Sequence, residues 1–151
     1  MNNQAGAFSI VVADDDPDDR LLIKDAFDEI SFDSLLRFVD DGEKLISYLF
    51  REKGHSDSYD QPVPDLIILD INMPRFDGWE VLKLIKEHFR FRKIPTMILS
   101  TTNNQDDIDR AYELGANAFV AKPATFDELK NILEATTKFW LKTINLPSKL
   151  D

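Results

Sequence analysis

Residues 10–17 read Ile10-Val11-Val12-Ala13-Asp14-Asp15-Asp16-Pro17, and this stretch decides the fold. Four apolar residues in an unbroken run suit a strand covered on both faces, because an exposed face would impose alternation. The run stops at three acidic residues, with Asp16 as the expected helix cap. Pro17 then falls where the first helical turn leaves N–H groups without partners, so its missing donor costs nothing. Strand, acidic turn and helix make one β-α unit. Further strand candidates follow at residues 35–39, 66–69, 96–99 and 118–120, and a helical pattern follows each. The first helix is expected to bury Leu21, Leu22, Ala26 and Phe27. The second opens at Asp40 or Asp41 and buries Leu45, Ile46 and Leu49. The third is capped by Asp77, with Glu80 three residues on, and buries Val81, Leu82 and Ile85. The fourth follows the polar stretch 101–107, presents Ile108, Ala111, Tyr112 and Leu114, and stops at Gly115. The fifth starts at Thr125, paired with Glu128, and runs through Leu129, Ile132, Leu133 and Phe139. The alternation predicts an α/β domain with a parallel, doubly wound sheet.

Reactive side chains stand where four of these strands end. Asp14 and Asp15 close the first, Asp70 closes Leu66-Ile67-Ile68-Leu69, Ser100 closes Met97-Ile98-Leu99, and Lys122 follows the last, with Pro123 next. In an open parallel sheet those ends lie along one rim, where ligands bind. A carboxylate can attack a phosphoryl group and form an acyl phosphate if the facing negative charges are offset. Mg2+ suits that task, since it takes oxygen ligands in octahedral geometry, one or two of them carboxylates. Asp15 and Asp70 are candidate direct ligands, Asp14 a holder of metal-bound water, and a backbone carbonyl just past Asp70 a further ligand. Lys122 would neutralise one phosphate oxygen and the Ser100 hydroxyl would donate to another.

Composition narrows the alternatives. The chain has 151 residues, 43% of them hydrophobic, enough for one domain with a substantial core. Eighteen basic against 28 acidic residues leave a net charge of −10. Phosphate backbones would meet repulsion over most of that surface, so nucleic acid is not an expected partner. Cysteine is absent, which excludes disulfides, thiolate metal sites and cysteine nucleophiles and fits a reducing compartment. The opening MNNQAGAF has neither the basic nor the apolar segment of an export signal, and no run approaches the roughly eighteen apolar residues of a membrane span. The expectation is a soluble, cytoplasmic protein with no membrane partner.

The motifs VVADDDP, LIILDINMPRFDGWEVL, TMILSTT and GANAFVAKP together resemble the receiver domain of two-component response regulators, from about Ile10 to Phe139. That resemblance implies the flavodoxin-like strand order 2-1-3-4-5, an acid pocket at Asp14 and Asp15, and the phosphoacceptor Asp70. It further implies a metal-coordinating main-chain carbonyl at Asn72, a switch hydroxyl at Ser100, an aromatic switch at Phe119 and a phosphate-pairing Lys122. Serine stands where threonine is commoner, and Phe119 lacks the hydroxyl of the frequent tyrosine. The polar loop before PDLIILD, the stretch FRKIPTMILSTTNNQDDI and the tail KFWLKTINLP resemble the small stand-alone regulators paired with bacterial phytochromes. The implied partner is a histidine kinase, and the likeness to the phytochrome-paired regulators implies one of phytochrome type; the output would be a protein contact, with no turnover of free substrates.

Two other mechanisms share parts of this residue set. A haloacid-dehalogenase-type phosphatase also uses an aspartate nucleophile, but it carries a second aspartate two residues on, where this chain has Asn72. A flavin binder of the same fold would need hydroxyls and glycines in the first turn, where DDDPDD repels phosphate. A degenerate receiver acting only as a protein-binding module is the remaining alternative.

Other residues have plainer expected roles. Asp18 and Asp19 suit the positive end of the first helix and are read as surface or partner-facing. Gly78 is expected to serve helix packing or the turn, Pro74 the turn itself, and His55 and His88 are expected on the surface. Residues 54–64 are expected to form a polar surface loop. The immediate turn after Lys122 calls for a cis peptide before Pro123. The expected organisation is an N-terminal arm at 1–8, the receiver at 9–138 and an extension at 139–151. There Phe139, Trp140, Ile144, Leu146 and Leu150 exceed what covering the sheet requires. A homodimer with Phe139 or Trp140 as anchor is expected, since large aromatics dominate interface cores.

Overall fold

In the computed structural model, which describes residues 8–30, 32–50 and 63–148, every predicted apolar run is a strand. The elements alternate as β1 (Phe8–Ala13), α1 (Pro17–Glu29), β2 (Ser34–Val39), α2 (Gly42–Leu49), β3 (Leu66–Leu69), α3 (Gly78–Glu87), β4 (Thr96–Ser100), α4 (Gln105–Glu113), β5 (Ala118–Ala121) and α5 (Phe126–Thr137). The five strands lie in the order β2-β1-β3-β4-β5, all parallel. Residues 1–7, most of the 54–64 loop, His55 and Leu150 lie outside the described residues.

Period-two alternation divides the central strands between two cores. Ile10, Val12, Leu66, Ile68, Met97 and Leu99 pack with Ile23, Ala26 and Phe27 of α1 and Leu129 and Leu133 of α5. On the opposite face Val11, Ala13, Ile67, Leu69 and Ile98 pack with Leu45 of α2, Val81, Leu82 and Ile85 of α3, and Ala111 of α4. Helices on both faces make the sheet doubly wound, as the alternation predicted. β2 departs from the reading of strands covered on both faces. It is an edge, it alternates in burial, and Leu35 is 53% exposed.

The caps follow their side chains. Asp16, Asp41, Asp77 and Thr125 each accept a backbone N–H from the first helical turn, a contribution of about 1 kcal/mol apiece. Asn104 does the same for α4, accepting from Asp107 N at 2.9 Å. That helix therefore begins inside the stretch read as a polar approach to it.

Three expected orientations are corrected. Leu21 and Leu22 are 57% and 42% exposed, because Ile23, Ala26, Phe27 and Ile30 form the inward i, i+3, i+4, i+7 set of the first helix and its cap. Tyr112 is also half exposed, and its hydroxyl accepts from Phe119 N at 3.1 Å. His88 is partly buried, stacked on Phe91 at 4.5 Å and edge-on to Phe50 at 4.7 Å.

Beyond α5 the chain continues as a π-helical turn over Lys138–Thr143. Leu141 is buried against the α1–α5 core, and Trp140 and Leu146 pack on the same cluster. Phe139, 52% exposed, and Ile144, 36% exposed, face outward. Much of the expected extension thus folds back on its own domain.

Candidate functional site

Strand register assembles the rim. Ala13 pairs with Leu69 across β1 and β3, and Asp70 N donates to Ala13 O at 2.9 Å, so the chain leaves both strands at the same level. Lys122 N donates to Ser100 O at 2.7 Å, which does the same for β4 and β5. The peptide before Pro123 is trans, since no cis bond occurs among the described residues, and this corrects the cis expectation. The chain instead bends at Ala124 and Thr125, two residues on, and enters α5 at the Thr125 cap.

Asp14, Asp15 and Asp70 each offer a carboxylate oxygen, and the three atoms lie within 4.8 Å of one another. Asp14 and Asp70 are buried while Asp15 is exposed, an arrangement open to an incoming ion on one side. Lys122 faces them from just past the end of β5. Its ammonium lies 2.9 Å from Asp14 Oδ2, 3.2 Å from Asp70 Oδ2 and 2.7 Å from Asp19 Oδ2. Asp19, expected on the surface or facing a partner, is instead turned inward: the third residue of α1 points back across the rim to the lysine.

The electrostatics follow from this crowding. Burial pushes the Asp70 carboxyl up to about 6, against the opposing pull of the Asn72 N–H and Lys122. Burial raises Asp14 too, partly countered by the Asp16 N–H and Lys122. For Lys122, burial pulls downward, but the hydrogen bonds to Asp19 and Asp14 and the charges of Asp14 and Asp70 outweigh it and hold the ammonium charged. Three carboxylates around one ammonium, with Asp15 beside Asp14 and Asp70, remain a net negative pocket whose donors are all oxygens. Its donor set fits a hard dication such as Mg2+, which would relieve the repulsion.

The loop after Asp70 is fixed by backbone contacts. Asn72 N donates to Asp70 Oδ1 at 3.0 Å, and Gly78 N donates to Ile71 O at 3.0 Å. A Cβ on Gly78 would stand 2.4 Å from Ile71 Cα and 2.8 Å from Asp70 O, so α3 meets the acceptor strand backbone to backbone only because Gly78 has none. Arg75 and Phe76 have φ of 51° and 61°, a left-handed pair that costs about 1–2 kcal/mol per residue. Their carbonyls press on Gly42 of α2, where a Cβ would lie 1.9 Å from Phe76 O. Gly42 was not singled out from sequence, and neither was Arg20, whose guanidinium donates to Asp14 O at 2.7 Å. Contacts between distant elements leave no local signal.

Ser100 is fully buried at its strand end, and its hydroxyl accepts only a long 3.4 Å bond from Thr102 N among the contacts described. Phe119 pairs with Ile98 and lies two residues before Ala121, the partner of Ser100. Phe119 and Ser100 therefore share a sheet face, with Phe119 half-buried against the α2–α4 core. Asn72 stands in the acceptor loop with its side chain exposed.

Comparison with known proteins gives this rim a context. The response regulator receiver domain model matches residues 10–134. The probable methanogenesis regulatory protein FilR2 of Methanothrix harundinacea is 34% identical over 134 residues, covering 89% of this chain and 84% of the relative. Response regulator Rcp1 of Synechocystis is 32% identical over 139 residues and 92% of each chain. The Mn2+-bound crystal structure of Rcp1 superposes with a TM-score of 0.82 at 30% identity, over 93% of this chain and 99% of that one. The phosphorylated cyanobacterial phytochrome response regulator RcpA superposes at 0.85 with 35% identity, over 94% and 99%. These matches favour the receiver reading over the phosphatase and flavin alternatives. Its fold, its rim of carboxylates and lysine, and its relatives agree: the chain belongs to the response regulator receiver domains of two-component systems.

Proposed function

We propose that this receiver takes a phosphoryl group from a histidine kinase onto Asp70 with Mg2+ bound, and signals through a changed protein-contact face. The observation that carries the reading is the convergence of Asp14, Asp15 and Lys122 on the buried Asp70 carboxylate. An Asp70 oxygen attacks phosphorus as the donor's bond to phosphorus breaks, and the electron pair leaves with the donor group. Asp15 and Asp70 would be direct metal ligands, with the Asn72 carbonyl beside them and Asp14 acting through water. Held there, Mg2+ would supply the positive charge that offsets the repulsion between the carboxylate and phosphoryl oxygens. Lys122 pairs with one phosphoryl oxygen and Ser100 donates to another, while Phe119 fills the space that Ser100 leaves.

The likeness to the phytochrome response regulator RcpA supports a histidine kinase of that class as the donor; in this reading the chain acts in the cytoplasm by contact, with no turnover of free substrates. The outward ring of Phe139, half exposed beside Trp140, supports a homodimer anchored there. Incubation with acetyl phosphate and Mg2+ followed by intact-mass measurement tests the acceptor. One added phosphoryl group is expected in the native chain and none in Asp70→Asn; an unlabelled native chain or a labelled variant refutes the assignment.

A further inference from the structure

The ammonium of Lys122 carries three N–H donors and faces three carboxylate oxygens, on Asp14, Asp19 and Asp70. To meet a phosphoryl oxygen it must give up one of them. Asp14 and Asp70 belong to the metal-facing group and Asp19 does not. A bound dication would therefore weaken the first two attractions and leave the third intact. Asp19 also makes the shortest of the three contacts, at 2.7 Å. It sits with Lys122 on a groove between α1 and the β5–α5 connection, lined by Leu22, Leu99, Pro123 and Phe126, so the pair meets the outside while Asp14 stays buried.

We infer that Asp19 is a positioning residue: it is the standing anchor about which the Lys122 ammonium pivots from the acid pocket to the incoming phosphoryl group. The contact joins α1 to the end of β5, so it fixes the lysine head from outside the metal site. An unanchored lysine would spread over the rotamers of a four-carbon stem, and capture of the phosphoryl group would slow. This inference rests on Asp70 being the phosphoacceptor.

The test is the rate of labelling by acetyl phosphate at saturating Mg2+, read by intact mass. In that reaction an Asp70 oxygen bonds to phosphorus as the P–O bond to acetate breaks and acetate leaves with the electron pair. Asp19→Ala is expected to slow labelling at least threefold. Asp19→Asn, whose amide oxygen still accepts a hydrogen bond, should be faster than Asp19→Ala, and the exposed neighbour Asp18→Ala should be no slower than the native chain. A general charge effect has the opposite sign, since removing a carboxylate would speed the approach of an anionic donor. Affinity for beryllofluoride, a phosphoryl mimic, should fall in the same order as the rates. Labelling of Asp19→Ala at or above the native rate, or Asp19→Asn as slow as Asp19→Ala, overturns the anchor. An unlabelled native chain overturns the phosphoacceptor reading and the anchor with it, whereas a labelled native chain matched by Asp19→Ala overturns the anchor alone.

Discussion

Replacing Asp70 with asparagine should stabilise the metal-free protein at neutral pH and lose that advantage as the pH falls. Burial raises the Asp70 carboxyl from 3.8 to about 6, so between those values the folded chain holds a proton that the unfolded chain has released. Stability therefore falls as pH rises through this window. Above it the buried charge costs about 3 kcal/mol, two pKa units at 1.4 kcal/mol each. Asparagine carries no charge but has one acceptor oxygen where Asp70 uses two, for Asn72 N and Lys122 Nζ. Both bonds are already counted in the raised carboxyl, so the uncharged asparagine gains at most about 3 kcal/mol at pH 7. Between pH 7 and pH 5 the native carboxyl takes up its proton and the difference should shrink by about 1.4 kcal/mol. Urea titrations of both proteins in a chelating buffer at the two pH values measure it. A variant less stable at pH 7, or an advantage unchanged at pH 5, refutes the claim that burial strains this carboxylate.

The same pocket should make Mg2+ raise the melting temperature of the native chain, and Asp15→Ala should weaken Mg2+ binding, measured calorimetrically, more than the exposed change Glu113→Ala; equal affinities would remove Asp15 from the ligand set. Gly78→Ala should cost about 2 kcal/mol in urea titration, since its Cβ meets the backbone of Ile71 and Asp70 and overpacking outweighs the helical preference for alanine. It should also slow labelling of Asp70; native stability and rate would show that α3 can retreat freely. Phe139→Lys should turn a homodimer into a monomer in light scattering across a concentration series, and a native chain that is monomeric throughout would sink the dimer. Truncation at residue 139 is a poorer test, because it removes the buried Leu141.

The fold was legible because its signals are local. Solid runs such as Ile10 to Ala13 and Leu66 to Leu69 mark central strands, and a capping side chain lies within three residues of the N–H it accepts. The rim was legible for the same reason, since a residue that ends a parallel strand inherits its place from the strand. Asp19 was misread because its helix position is equally good for a solvated carboxylate, and only the arrival of Lys122 from 103 residues away decides between them. Leu21 and Leu22 misled through composition: the stripe that faces the sheet is set by the angle at which α1 packs, and that angle belongs to the tertiary structure. Gly42 and the left-handed pair Arg75 and Phe76 are one contact seen from two sides, invisible until α2 and the acceptor loop meet.

On the proposed reading, the geometry also limits how the switch can work. Driving a population from mostly off to mostly on takes about 5.5 kcal/mol of differential binding, and one hydrogen bond to a charged group supplies about 1.5–3 kcal/mol. Ser100 alone is insufficient, although it gives up little by turning, because its present bond from Thr102 N is 3.4 Å long. Lys122 gives up more, for each of its three contacts is between charged groups at 3.2 Å or less. The switch must therefore be ordered. Asp14 and Asp70 would loosen their hold on Lys122 once they shared their charge with a bound dication; the lysine could then meet a phosphoryl group, and the turn of Ser100 would gain a partner. A metal-free protein presented with a phosphodonor should fail at the first of these steps, with Phe119 left in its half-buried position.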